Sequence, residues 1–344
     1  MRPTCPAAML ASTEPHEQHA VQRRAFMLTL AASGLVKAPA ARAQAYPVRP
    51  VRIIVGSAAG ATPDVFIRIL AQRLTEKWGG VPVVVENKPG ASGTLAADAV
   101  AKSPPDGYTL LFADSSSWAI NPHLYRKLPY DPARDLVPVL QVGRLPMFLV
   151  ARSSLAVDSV SALVALAKRQ PGKLTYGSAG NGSIHHLSGE LFKSTAGIDV
   201  VHVPYKGASQ VGVALMANEI DLAFMGYTAA SQGVASGKVR LLAIATDKRS
   251  ATFPDLPTLA ESGMPGFAMA ATAGMMAPAR TPPDLVDRLQ SAMAQAAARS
   301  ETAAQLAELG VLPEPSSTAQ FATTVRAELE RFGRLVKLSG AHVD

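Results

Sequence analysis

Four short stretches of this chain place small residues, hydroxyls and a helix start directly after an apolar run. The first is Gly56-Ser57-Ala58-Ala59-Gly60-Ala61, which follows Val51-Arg52-Ile53-Ile54-Val55 and leads into Thr62-Pro63-Asp64. The others are Asp114-Ser115-Ser116-Ser117, Gly177-Ser178-Ala179-Gly180-Asn181-Gly182-Ser183, and Pro204-Tyr205-Lys206-Gly207-Ala208-Ser209. The first backbone N–H groups of a helix have no intrahelical acceptor and sit at the positive end of its dipole. A turn of small residues at such an end is therefore an anion cradle. The first stretch lacks the lysine of a phosphate-binding loop. Taken alone, it also fits an ordinary junction between a strand and a helix.

Other chemistry finds little support. The chain holds no G-x-S-x-G, S-x-x-K, H-E-x-x-H or G-x-x-x-x-G-K-[ST] pattern. His186 and Glu190 stand one helical turn apart, but no third metal ligand accompanies them. His185, His186 and His202 read as packed histidines that bond neighbouring backbone groups. Lys206 beside Tyr205 reads as an exposed lysine near a cleft mouth, and Ser183 as a helix cap rather than a nucleophile. The expectation is a protein with no catalytic residue, no metal and no cofactor.

The elements that would position these turns alternate strand and helix, which defines an α/β fold with a largely parallel sheet. Val51–Val55 has the β-branched composition of a buried strand. Thr62 is the expected N-cap of the following helix, with Phe66, Leu70 and Leu74 on its core face. Runs 136–142 and 147–151 read as strands separated by Gly143-Arg144-Leu145-Pro146, a crossing between domains. A second crossing is expected near Thr246. Three helices close the chain, the last capped by Thr318. The expected domains are 44–143 with 248–344, and 144–247.

The chain has 344 residues, 48% of them hydrophobic and 17% charged, with a formal charge of +7. Gln22-Arg23-Arg24-Ala25-Phe26-Met27-Leu28 has the twin-arginine pattern, and an apolar run to Val36 follows. That run is too short for a bilayer, which needs about 20 residues. Ala41-Arg42-Ala43 is a small-residue cleavage site, so 1–43 reads as a leader cleaved after Ala43. The rest carries 28 basic and 24 acidic side chains with no basic run, which argues against a nucleic-acid face. The single cysteine, Cys5, lies in the leader.

A series of ordered motifs then carries a resemblance. Gly60-Ala61-Thr62-Pro63-Asp64, Glu86-Asn87-Lys88-Pro89-Gly90-Ala91, Pro105-Asp106-Gly107-Tyr108 and Asn121-Pro122-His123-Leu124-Tyr125 come first. Leu128-Pro129-Tyr130-Asp131-Pro132, Tyr176-Gly177-Ser178-Ala179-Gly180-Asn181-Gly182-Ser183 and His202-Val203-Pro204-Tyr205-Lys206-Gly207 follow, then 254–261. The chain resembles the Bug family, the extracytoplasmic solute receptors of tripartite tricarboxylate transporters.

The resemblance implies a two-domain, Venus-flytrap periplasmic-binding-protein fold of type II-like topology, with a carboxylated ligand held between the domains. It implies ligand contacts from Ser57, Ala58, Gly60, Ala61, Thr62 and Asp64, and from Ser115, Ser116 and Ser117. On the second domain it implies Ser178, Ala179, Asn181, Gly182 and Ser183, with Tyr205, Lys206 and Gly207. Asp64 would orient water or the loop. The family usually places an aromatic ring at Ser57 and often a glycine at Ala61; the missing ring implies space beside Ser57 that Trp118 fills, that a larger ligand fills, or that a local rearrangement closes with no change in ligand. The implied role is a monomeric periplasmic receptor that delivers an organic acid to membrane permease subunits. A sensor without a permease, or a hydrolase-like enzyme using the same cleft, are the alternatives.

Overall fold

The computed structural model describes residues 46–343, so the leader with its arginine pair and cleavage site lies outside the described residues. β1 (Val51–Val55) is the expected buried strand, with only Arg52 exposed. It turns into α1 (Thr62–Lys77), whose N-cap is Ala61, one residue before the expected Thr62. Ala61 has extended backbone angles and no side-chain cap, so Thr62 is already helical and its hydroxyl does not cap the helix. Phe66, Leu70 and Leu74 are buried as their spacing requires.

β2 (Val83–Asn87), α2 (Thr94–Ala101) and β3 (Thr109–Asp114) complete the first half. A single π-helical turn, Ser116–Ile120, follows β3 and runs into the short α3 (Asn121–Leu124). The one-turn helix α4 (Pro132–Asp135) precedes β4 (Leu136–Pro146), which continues through residues 143–146. Those four residues are therefore strand, not a break between two strands. Their partners are Ala270–Ala273 of β10, and the carbonyl of Leu312 approaches Gly143 too closely for any Cβ there.

A second set of elements follows. These are β5 (Phe148–Arg152), α5 (Val160–Arg169), β6 (Thr175–Ser178), α6 (Ile184–Ala196) and β7 (Val201–Pro204). Then come α7 (Ala208–Met216), β8 (Leu222–Met225), α8 (Tyr227–Ala235) and β9 (Val239–Ile244). The chain returns through β10 (Ala270–Pro278), α9 (Pro283–Ala297), α10 (Ser300–Glu308), the two-residue β11 (Leu312–Pro313) and α11 (Thr318–Ser339). The last helix is capped by Ser317 in a capping box with Gln320, again one residue before the expected Thr318.

The strands form two mixed sheets, ordered β11-β4-β10-β3-β1-β2 and β7-β6-β8-β5-β9. The expected largely parallel arrangement holds for β1 with β2 and β3, and for β6 with β7 and β8. It fails at β10, antiparallel to β3 and β4, and at β5, antiparallel to β8 and β9. The reason is topological. β5 is the first strand entered after the chain leaves the first sheet, and β10 is the first after its return. Neither is reached by a βαβ crossover, so neither need run parallel.

The second core contains Phe148, Val150, Val211, Leu215, Met225 and Ile244. Segment 245–269 packs on it: Phe253 lies edge-on to Phe148, and Phe267 stacks against Phe224. α9 and α11 pack on β4, and α11 also reaches α6.

Candidate functional site

Two cavities, of about 220 and about 270 Å³, lie where turns of the two sheets meet. Both are lined by Pro63, Asp114, Ile184 and His185. The first is further lined by Gly60, Ala61, Thr62, Ala208, Ser209, Gly226, Tyr227 and Thr228, with Leu145, Met147 and Leu309 as apolar walls. The second holds Ser57, Ser92, Ser116, Ser117, Asn121, Ala179, Gly182 and Ser183.

Four helix N-termini therefore open on the first cavity: α1, α6, α7 and α8. The backbone N–H groups of Thr62, Ile184, His185, Ala208, Ser209, Tyr227 and Thr228 have no acceptor among the described residues. A set of unpartnered amides at four positive helix ends attracts a carboxylate without any cationic side chain. No lysine or arginine lines either cavity.

The first-sheet turn is shaped by Asp64, which is buried and lines neither cavity. It accepts the Gly60 N–H at 2.8 Å, Arg68 Nε at 3.0 Å and Asn87 Nδ2 at 2.8 Å. Burial alone would raise its carboxyl; the bonds from Arg68, Gly60 and Asn87 outweigh that and hold it below the usual range. Asn87 Nδ2 also donates to the Ser57 carbonyl at 3.0 Å, so one side chain ties β2 to the turn. Ala58 is exposed and accepts only the Ala61 N–H. The Ser57 hydroxyl oxygen is buried and has no partner.

The turn after β3 divides its three serines. Ser115 is fully buried; its hydroxyl donates to Glu328 at 2.9 Å and accepts the Thr272 N–H. Glu328 of α11 also accepts Trp118 Nε1 and the Thr272 hydroxyl. Burial pushes its carboxyl up against these three donors. Trp118 thus points at α11, edge-on to Phe321, and does not fill the space beside Ser57. Ser116 and Ser117 line the second cavity, and the Tyr130 hydroxyl fixes the Ser117 carbonyl at 2.6 Å. Asp114 ends β3 in both cavities; the Ser116 N–H donates to its Oδ1 at 2.8 Å, and burial pushes its carboxyl up.

On the second sheet, Ser178 is buried and bonds His202 Nε2 at 2.7 Å rather than facing a cavity. His202 stacks between Tyr176 and His186, with ring centroids 4.8 and 4.2 Å away. His186 Nδ1 accepts the Gly182 N–H at 3.1 Å, as expected of a packed histidine, so that amide is not free for a ligand. Gly182 has φ +72, and a Cβ there would meet Leu124 of α3 at 2.2 Å. Ser183 caps α6 through the His186 N–H. Asn181 and Lys206 are exposed, and Tyr205 and Gly207 border α7 outside both cavities.

His185 departs from its expected role. Its Nδ1 is buried with no partner, and burial pulls its pKa down to about 4. Sequence reasoning gave Asp114 no role beyond the serine turn it opens, and passed over the Gly226-Tyr227-Thr228 helix start. The latter repeats the strand, small residue, helix pattern after β8, and that signal was present.

The matches to known proteins agree with this geometry. The model of the tripartite tricarboxylate transporter family receptor matches residues 66–341. The solved structure of Rpa4515 from R. palustris with adipate is 35% identical, with a TM-score of 0.81 over 87% of this chain and 100% of that one. The periplasmic binding protein BugD is 32% identical, with a TM-score of 0.77 over 86% of this chain and 99% of its own. MatC from Rhodopseudomonas palustris with bound malate is 31% identical, with a TM-score of 0.75 over 85% of this chain and 100% of its own. With four helix starts and their unpartnered amides on one cleft and matches of this extent, the chain belongs to the tripartite tricarboxylate transporter receptor family of Bug-type solute-binding proteins.

Proposed function

We propose that this protein captures a small carboxylated organic acid in the periplasm and delivers it to the permease subunits of a tripartite tricarboxylate transporter. The observation that carries the reading is the convergence of four helix N-termini, with unpartnered amides, on one cleft that lacks any cation. The acids bound by Rpa4515 and MatC support it. Export by the twin-arginine route with cleavage after Ala43 belongs to the same proposal, and N-terminal sequencing of the periplasmic protein tests it.

The lobes of the receptor would be 47–146 with 270–343, and 147–269. Met147, Ala245 and Met269 lie side by side, joined by N–H···O=C bonds of 2.8–2.9 Å. A hinge at that point lets the walls part by rigid rotation without unpairing either sheet. Thermal shift over mono-, di-, tricarboxylic and aromatic acids tests the assignment. A bound acid at a hundred times its Kd adds about 2.7 kcal/mol and raises Tm. Stabilisation by uncharged solutes and by no acid would overturn it.

A further inference from the structure

Two groups at the junction of the cavities fall outside a simple anion cradle. Asp114 lies in both cavities, and among the described residues Ser116 alone donates to it, its N–H reaching Oδ1 at 2.8 Å. Beyond the backbone and side chain of Ser116 no described residue bonds its carboxylate, and no lysine or arginine lines either cavity to neutralise it. His185 lines the same junction, with Nδ1 buried and unpartnered. A receptor for a plain di- or tricarboxylate would gain nothing from a third carboxyl between its carboxylate sites, since like charges at short range disfavour binding. An acceptor of this kind gains when the ligand presents a hydrogen-bond donor, and gains most when that donor is charged.

We propose that the ligand is a carboxylic acid that also bears a protonated amine, and that Asp114 is the specificity residue that accepts the amine. The proposal rests on the carboxylate reading of the cleft and narrows it. The ligand carboxylate lies on the amides of α1, α6, α7 and α8. The amine lies at the junction on the Asp114 carboxylate, and the rest of the molecule extends toward Ser57 and Asn121 or toward Leu145 and Met147. A cationic amine also offsets the desolvation that makes a charged Asp114 unfavourable in the empty cleft. Tyr227 and His185 are the other titratable side chains on these walls, and neither brings a positive charge at neutral pH, His185 because burial depresses its pKa to about 4.

The test is calorimetric titration with matched pairs that differ only in the amine: L-aspartate and succinate, L-glutamate and glutarate, L-2-aminoadipate and adipate, L-phenylalanine and 3-phenylpropanoate. In the pair that binds best, the amine-bearing member should bind at least tenfold tighter. Asp114→Asn should bring the two within threefold, chiefly by weakening the amine-bearing one. Asp114→Ser serves if the asparagine variant does not fold by circular dichroism. Equal or tighter binding of the amine-free acid to the native protein would overturn the amine assignment and leave the carboxylate reading standing. Titration in buffers of different ionisation heat would then reveal uptake of about one proton, the mark of Asp114 acting as a neutral acid toward a second carboxylate. Failure of all eight acids to bind would overturn both.

Discussion

On one wall of the cleft a carboxylate organises the turn. Asp64 gathers the Gly60 amide, Arg68 and Asn87, and the turn 56–62 takes its shape around that charge. On the opposite wall neutral imidazoles do the same work: His186 holds the Gly182 amide and His202 holds Ser178. The two turns look alike in sequence, each a glycine- and serine-rich link between strand and helix. They differ in what loosens them. Asp64 keeps its charge until the pH falls below the ordinary carboxylate range, because its carboxyl is held low. The histidine wall is loosened by gaining protons, since an imidazolium Nδ1 can no longer accept from Gly182, and burial lowers the pKa of His186.

Removing the charge on the first wall should have the largest effect. Asp64→Ala removes one acceptor each from Arg68 and Asn87, which keep their bonds to Asn87 Oδ1 and the Ser57 carbonyl, and frees the Gly60 N–H; a loss of about 2–3 kcal/mol in chemical denaturation is expected. A loss below about 1 kcal/mol would mean the turn is held by its backbone alone. On the second wall, Gly182→Ala forces an alanine to φ +72 and into Leu124. The left-handed conformation costs about 1–2 kcal/mol. Displacing Leu124 should weaken acid binding about tenfold, or 1.4 kcal/mol.

The third prediction separates the walls by pH. The unfolded chain protonates His202 near its ordinary pKa of about 6.5. Burial in the fold delays protonation to about 4. Between those values the unfolded state binds more protons, so stability falls as pH falls. Asp114 and Glu328 act in the opposite direction, because their raised carboxyls bind protons in the native state first. His202→Gln keeps a partner for Ser178 and does not titrate. Its Tm should therefore gain on that of the native protein as pH is lowered from 6.5 to 4, and parallel curves would remove His202 from the account. The smallest effect is expected at Ser57. Ser57→Ala deletes a buried hydroxyl with no partner, so stability should stay within about 0.5 kcal/mol, while acid binding weakens if that hydroxyl faces the ligand.

The local devices were legible because they are short. Val51–Asp64 declares its strand, turn and helix start within fourteen residues, and Ser183 announces its cap from its own short turn. The one-residue errors at Thr62 and Thr318 have a common cause: extended backbone angles at Ala61 and Ser317, rather than the better capping side chain, decide where the helix begins. Glu328 could not be read in advance. On α11 it is one acid of an amphipathic helix, and its partners Ser115 and Trp118 lie 213 and 210 positions away. The same distance hid the fate of Trp118. Asp114 was hidden differently: beside three serines it reads as turn chemistry, and only the meeting of the two sheets places it on a shared wall. The antiparallel strands β5 and β10 follow from where the chain changes sheet, which no local pattern encodes.

The unpartnered amides of the four helix starts carry a consequence for how such receptors diversify. A side-chain replacement does not delete a backbone N–H, except by proline. The capacity to hold an acid is thus written in the path of the chain and persists through most substitutions. Side chains that line the cavities, Asp114, His185 and Ser57 among them, are free to drift above this permanent floor. One scaffold can therefore be retuned from one acid to another in single mutational steps, without passing through a form that binds none.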